Sequence, residues 1–160
     1  MRNLLLFAVL AATAFLTPAK ATDFFFTGNF VDDDDKARFE FTIDADSFVT
    51  VLTYSYAGGV NAAGQSIAAG GFDPILSLYD FSGNLVDYND DGPSSPTDPT
   101  SGAAFDTFFQ ANLLAGSYTV FVTQYNNFGP SQLPGSFDRD GQPDFANGFI
   151  DVTGSQRDSH

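Results

Sequence analysis

The sequence predicts an all-β protein, an antiparallel β-sandwich or jelly roll of about eight strands. Three observations lead to this prediction. Several short segments alternate apolar and polar side chains with the period of two that a half-buried strand requires. Those segments are rich in β-branched and aromatic residues, and the chain contains 19 Phe and 6 Tyr. Gly, Asp, Asn and Pro fill the stretches between them, as expected for turns.

The first 21 residues have the three parts of a secretory signal peptide. Arg2 precedes an apolar run from Leu4 to Leu16, and Ala19-Lys20-Ala21 supplies small residues for cleavage. The apolar run is too short to span a bilayer. We therefore expect residues 22–160 to be exported as a single β-sandwich domain, secreted or periplasmic, with no further membrane span.

Three strands are predicted in the first part of this domain. Phe24–Phe30 is a weak terminal strand. Lys36–Ile43 alternates cleanly, with aromatic and aliphatic side chains on one face and charged or hydroxyl side chains on the other. Ser47–Tyr54 is a run of β-branched and aromatic residues, a composition that favours strands.

The second part of the domain begins with a predicted hairpin. Pro74–Asp80 and Leu85–Tyr88 are joined by a turn of Ser, Gly and Asn, which is typical of a β-hairpin. Phe105–Ala111 and Ser117–Tyr125 are the next predicted strands, and a Leu-Ala-Gly turn precedes the second of them. Phe145–Val152 is a weaker terminal strand.

The composition excludes several functional classes. The chain has no cysteine, which excludes a disulfide scaffold, a thiol protease and a zinc site with cysteine ligands. Its single histidine is the terminal His160, a poor member of a catalytic triad. Without the leader, four basic residues remain against 20 acids, a net charge of −16 that disfavours nucleic acid and anionic lipid as partners. Cations are the natural binding partners of such an acidic chain. The alternative interpretation of this composition is that the chain is disordered.

Three loops are too long to be simple hairpin turns, namely Ala57–Phe72, Asn89–Ala104 and Asn126–Asp144. The middle loop opens with Asn89-Asp90-Asp91-Gly92. Calcium takes six to eight oxygen ligands, and 19 of the 20 acids are Asp, whose short stem suits a tightly turned backbone. The alternative is an ordinary turn, because Asp, Asn and Gly are also the common turn residues.

Two further acidic segments are candidates for a cation site. Asp32–Asp35 places four carboxylates side by side, but neighbours in an extended chain point to opposite sides, and a solvated acidic turn is equally compatible. Asp138–Asp144 is similar to part of a calcium loop but lacks the EF-hand spacing. Asp80 and Asp98 are reserve ligands.

An ordered set of motifs resembles the bacterial pre-peptidase C-terminal (PPC) domain. The motifs are Phe72–Asp80, Ser82–Leu85, Asn89–Gly92 and Leu114–Val120. That family is a jelly-roll β-sandwich appended to exported proteins, where it binds calcium and assists substrate or surface attachment. Two additional segments, Ser55–Gly59 and Phe149–Arg157, resemble a subfamily of secreted bacterial proteins that often carry a PEP-CTERM sorting tail. Relatives continue beyond the last segment, so a shortened gene and a fragment both stay open for this sequence.

The resemblance implies a specific set of metal ligands. Asp73, Asn89, Asp90, Asp91 and Asp106 occupy the acidic positions of the shared pattern, and we predict that they bind calcium, with Asn89 and a loop carbonyl as helpers. The two ends of the hairpin from Asp73 to Asp91 are expected to converge.

Two classes of function follow from these residues. The first is a non-catalytic exported module, stabilised by calcium, that binds extracellular polysaccharide or a cell-surface protein. The alternative is a carbohydrate-active enzyme with paired Asp carboxylates, which requires a carboxyl group in apolar surroundings and a sugar platform. The chain has no tryptophan, so we predict that it is not an enzyme. Tyr54, Tyr56, Tyr125 and Phe128 are either polysaccharide contacts or packing residues.

Overall fold

A computed structural model describes residues 22–146, 148–150, 154 and 156–157. The regular structure of these residues is entirely β, and the strands pair antiparallel. The predicted leader, residues 1–21, lies outside the described residues.

Ten strands run through the described residues. In chain order they are β1 Ala37–Ile43, β2 Ser47–Leu52, β3 Gly59–Val60, β4 Ser66–Ile67, β5 Pro74–Asp80, β6 Leu85–Asn89, β7 Phe108–Leu113, β8 Gly116–Gln124, β9 Phe149–Ile150 and β10 Gln156–Arg157.

The strands form two principal layers. The larger sheet has the order β1-β8-β5-β6, and the smaller one pairs β2 with β7. Alternating side chains of both layers meet in the core, which is built from Leu76, Leu78, Phe109, Leu113, Tyr118 and Val120. This arrangement confirms the predicted all-β antiparallel sandwich, whereas the jelly-roll topology stays a prediction.

A third layer of irregular chain covers the outer face of the larger sheet. Ile75 and Tyr79, on the outer face of β5, are fully buried. The Tyr79 hydroxyl donates to the Pro130 carbonyl at 2.9 Å, and the Phe121 ring packs edge-on against the rings of Tyr79 and Phe137. The segment predicted as a long loop at 126–144 is therefore packed onto the sheet, and β5 is buried on both faces.

Most predicted strands are confirmed with small shifts at their ends. β1, β2, β5, β6 and β8 lie within one or two residues of the predicted bounds. Side-chain alternation located β1, β5 and β8, β-branched and aromatic composition located β2, and the turn residues of the hairpin located β6.

The predicted strand Phe105–Ala111 begins later, at Phe108. The Thr107 amide donates to the Thr53 hydroxyl at 2.9 Å, and the Thr53 amide donates to the Thr107 carbonyl at 3.2 Å. The Thr53 hydroxyl thus takes the place of a backbone carbonyl as the acceptor for the Thr107 amide, before the regular β2–β7 ladder starts.

The predicted strand Phe24–Phe30 is wrong, because the described residues 22–30 have no strand pairing. Phe24 and Phe26 instead pack their rings on Phe41 and Phe39, with centroids 6.5 and 4.4 Å apart. A run of three phenylalanines places apolar side chains on both faces, so it lacks the apolar–polar alternation of a half-buried strand.

Two short hairpins were also not located correctly from the sequence. β3 and β4 pair within the predicted loop Ala57–Phe72. At the other end, β9 covers two residues of the predicted strand Phe145–Val152 and pairs with β10, while residues 151–152 lie outside the described part.

Candidate cation site at the end of the β5–β6 hairpin

Pairing of β5 with β6 brings three carboxylates together. Leu76 lies opposite Asn89 in this ladder, so Asp73 before β5 and Asp90-Asp91 after β6 are at the same end of the sheet. One carboxylate oxygen from each of Asp73, Asp90 and Asp91 lies within 4.8 Å of the other two. These three residues are called the Asp cluster below. The expected convergence of the hairpin ends is present in the fold.

Two contacts with β7 fix the loop that carries Asp90 and Asp91. The Asn89 side-chain oxygen accepts a hydrogen bond from the Phe108 amide at 2.8 Å. Gly92 is buried against the same residue, where an added Cβ would lie 2.7 Å from the Phe108 Cβ. Glycine is required there because the two backbones approach too closely for a side chain.

Asp73 is fixed by its own backbone at the junction of β5 and β8. Its carbonyl accepts a hydrogen bond from the Tyr125 amide at 2.7 Å, immediately after β8 ends. The next residue, Pro74, pairs with Gln124 in the β5–β8 ladder. Backbone pairing therefore fixes the position of the Asp73 main chain, from which its carboxylate extends.

The Asp cluster contains uncompensated negative charge. Asp73 Oδ1 and Asp90 Oδ1 are buried and have no hydrogen-bond partner among the described residues. Burial, followed by the charges of Asp91, Asp90 and Asp106, raises the pKa of Asp73 to about 7. Burial and the Asp91 charge raise the pKa of Asp90, and burial raises that of Asp91. A cation among these oxygens would lower all three pKa values, because an opposite charge nearby favours the ionised carboxylate.

Basic side chains do not neutralise the Asp cluster in the described part of the chain. The two ion pairs found there join Lys36 to Asp140, with Nζ and Oδ1 2.6 Å apart, and Arg38 to Glu40. Neither pair includes a carboxylate of the cluster.

Asp106 is not part of the Asp cluster, although the sequence predicted it as a ligand. Its fully buried carboxylate accepts hydrogen bonds from the Thr53 hydroxyl at 2.8 Å and from the three amides of residues 55–57 at 2.6, 3.3 and 2.8 Å. Asp106 therefore holds the segment after β2 in place. Its charge still reaches Asp73 and helps to raise that residue's pKa.

The reserve ligands Asp80 and Asp98 fix local turns. Asp80 accepts hydrogen bonds from the Ser82 and Asn84 amides, both at 2.9 Å, in the β5–β6 turn. Asp98 accepts one from the Ser101 amide at 2.5 Å in the following loop. Both residues play the ordinary turn role that Asp side chains often have.

The acidic run at 32–35 binds backbone amides of the outer layer. Asp33 accepts a hydrogen bond from the Ala146 amide at 2.8 Å, and Asp34 accepts one from the Gly141 amide at the same distance. Lys36 adds its ion pair to Asp140. The two other acidic segments considered as cation sites, 32–35 and 138–144, therefore bind to each other.

Gln124 was missed by the sequence interpretation. It is 4% exposed, its Oε1 atom has no hydrogen-bond partner among the described residues, and it lines a cavity together with Asp73. The signal was present in the alternation of β8, because Gln124 follows Tyr118, Val120 and Val122 in the apolar phase of the strand. A polar residue at a core-facing position indicates either a buried partner or a ligand.

Comparisons of the chain with protein-family models, with curated proteins and with solved structures gave no significant match. Within the described residues we find no helix with the length and apolar character that a membrane span needs. The case for a function therefore depends on the geometry of the Asp cluster and its surroundings.

Proposed function

We propose that this chain is a non-catalytic, exported β-sandwich module that binds calcium at the Asp cluster and attaches to extracellular polysaccharide or a cell-surface protein. One observation carries the metal part of the proposal. Three carboxylates converge within 4.8 Å, and two of them bury an oxygen that has no donor among the described residues. Unpaired buried charge is destabilising, and a bound cation would pair with these oxygens and account for their burial.

The ligand chemistry favours calcium over other metals. Calcium takes six to eight hard oxygen ligands in flexible geometry, whereas magnesium requires a near-ideal octahedron and zinc prefers nitrogen and sulfur. Asp73, Asp90 and Asp91 supply carboxylates, and loop carbonyls and water supply the remaining positions. Asn89 helps by holding the loop, and Asp106 helps by holding the neighbouring segment and by adding negative charge.

The exported, non-catalytic part of the proposal is supported by the sequence. Its signal-peptide pattern favours export. The ordered motifs that resemble the PPC family favour an attachment module. The net charge of −16 after removal of the leader favours a cation-dependent partner over nucleic acid.

A paired-Asp glycosidase is the second candidate, and one observation favours it. The pKa of Asp73, raised by burial to about 7, is what a general acid requires. Calcium would lower that pKa and leave the residue ionised. Release of reducing sugar from polysaccharide by the calcium-free protein, lost in Asp73→Asn, would establish this candidate in place of the first.

Thermal unfolding with and without calcium tests the proposed site. Calcium at about 100 times its dissociation constant is expected to raise the melting temperature by on the order of 10 °C. The double substitution Asp90→Asn and Asp91→Asn should abolish the rise. Asp87→Asn is the matched control, because Asp87 is an exposed carboxylate of β6 outside the cluster. No rise at millimolar calcium, or the same rise in the double variant, would reject the site.

A further inference from the structure

A cavity of about 380 Å³ lies beside the Asp cluster and shares Asp73 with it. Its volume is in the range of pockets that hold small ligands. Polar, charged and aromatic side chains line it, among them Asp73, Gln124, Arg139, Tyr56, Phe105 and Tyr125.

Two residues that line this cavity each have a buried acceptor atom without a donor among the described residues. Gln124 is only 4% exposed, and its Oε1 has no hydrogen-bond partner among the described residues. Asp73 Oδ1 is also buried and has no hydrogen-bond partner among the described residues. Buried acceptors are nearly always hydrogen-bonded in folded proteins, so a ligand with O–H or N–H groups fits this wall.

Arg139 gives the cavity a donor and a positive charge. Its guanidinium lies over the Phe145 ring, 5.3 Å from the centroid, and its Nε donates to the Asn126 carbonyl at 3.2 Å. A second cation in the cavity would be repelled by this group. With calcium bound, two of the three charges of the Asp cluster are offset and one remains. An anion would be repelled by the cluster and a cation by Arg139, which favours an uncharged ligand.

Aromatic rings supply the apolar part of the wall. Tyr56 and Phe105 pack edge to face with centroids 5.0 Å apart. Tyr125 is 51% exposed, so its ring is available to a ligand. Flat aromatic surfaces combined with a few hydrogen-bonding groups suit a molecule that has both an apolar face and a polar rim.

We propose that this cavity binds a neutral sugar residue, with its hydroxyls donating to Gln124 Oε1 and accepting from Arg139, and its ring against Tyr125. The inference rests on the calcium site proposed above, because Asp73 belongs both to the Asp cluster and to the cavity wall. It identifies the polysaccharide, rather than the cell-surface protein, as the partner of the module.

Calorimetric titration of the calcium-loaded protein with neutral glucose, mannose and galactose oligosaccharides tests the inference. At least one of these probes is expected to bind. Tyr125→Ala should weaken that binding at least tenfold while leaving the calcium-induced rise in melting temperature unchanged. Tyr88→Ala is the matched control, because Tyr88 is similarly exposed, at 54%, and lies outside the cavity. Gln124→Met, which keeps the side-chain length but removes the acceptor, should also weaken binding.

The outcomes separate this inference from the calcium proposal. A calcium-induced rise with no binding of any of the sugars would overturn the sugar site and leave the calcium site standing. Equal loss in the Tyr125 and Tyr88 variants, or binding of the diamine putrescine in place of sugar, would also overturn it. Sugar binding that persists in EDTA would overturn the dependence on calcium, and absence of the calcium response itself would reject the proposed function.

Discussion

Asp73 carries a charge that the described fold does not compensate. Its carboxylate is partly buried, lacks a donor at Oδ1 among the described residues, and lies beside two like charges. Asp106, which is fully buried, accepts four hydrogen bonds. These two aspartates therefore differ in role. Asp106 is surrounded by hydrogen-bond donors, whereas Asp73 lies among other acceptors.

Asp73→Asn is expected to stabilise the calcium-free protein at pH 7 by about 1 kcal/mol or more, because it removes a desolvated and repelled charge. The same substitution should remove most of the response to calcium. Urea unfolding with EDTA or calcium measures both effects. Asp87→Asn, at an exposed position of β6, should change neither. Destabilisation of the calcium-free Asp73→Asn protein would contradict this assignment.

Asp106→Asn is expected to destabilise the protein by roughly 2–4 kcal/mol, with or without calcium, because a neutral amide cannot accept all the hydrogen bonds that the carboxylate accepts. Asp46→Asn is the comparison, since its exposed carboxylate accepts a hydrogen bond from the Ala115 amide at 2.9 Å. That variant should lose about 1 kcal/mol or less. Similar losses for the two variants in urea unfolding would argue against the role given to Asp106.

The β5–β6 hairpin is the element that assembles the site. Its antiparallel pairing brings Asp73 near Asp90 and Asp91, and contacts of Asn89 and Gly92 with Phe108 tie its open end to the second sheet. The position of the carboxylates is thus set by strands and by anchored loop residues, rather than by a free loop.

Gly92→Ala is expected to cost about 1–3 kcal/mol, because the added methyl group overlaps the Phe108 backbone and pushes the loop away from β7. Calcium affinity should fall with stability, since Asp91 precedes this residue. Gly28→Ala is the control, as a Cβ there meets nothing within 4 Å. Unchanged stability and calcium affinity in Gly92→Ala would show that the loop is not held as described.

The elements differ in how far they were predictable. The β5–β6 hairpin was predictable because alternation and turn residues are local signals, and convergence of its ends follows from antiparallel pairing. The outer layer at 126–146 has no periodicity, so its packing on Tyr79 was not predictable. The role of Asp106 was also not predictable, because its donors lie about 50 residues away in sequence. Gln124 carried a local signal, a polar residue in an apolar phase, that was not used.

The raised pKa of Asp73 makes the stability of the whole molecule depend on pH. Asp73 has a pKa of about 7 in the folded state, raised by burial and neighbouring carboxylates from 3.8. Between these values the folded protein binds a proton more tightly than the unfolded chain, so calcium-free stability falls as pH rises. Asp80 and Asp140 have lowered pKa values, held by hydrogen bonds from Asn84 and Lys36, and their contribution is lost only as pH falls through the acidic range.

The melting temperature without calcium is therefore expected to decline from about pH 5 to pH 7 and to change little above pH 8. With saturating calcium the decline should disappear, because the ion competes with the proton for Asp73. Thermal unfolding across this range in EDTA and in calcium checks both statements. A calcium-free protein whose stability rises steadily from pH 5 to pH 7 would contradict them.

Calorimetric titration of calcium into the protein at pH 7, in two buffers of different ionisation heat, tests whether Asp73 is a calcium ligand. A site built around Asp73 should bind one calcium ion and release about half a proton at this pH, and release none at pH 9. The proton release should vanish in Asp73→Asn and persist in Asp87→Asn. Absence of binding at millimolar calcium, or binding whose heat is the same in both buffers at pH 7, would rule out a calcium site at Asp73.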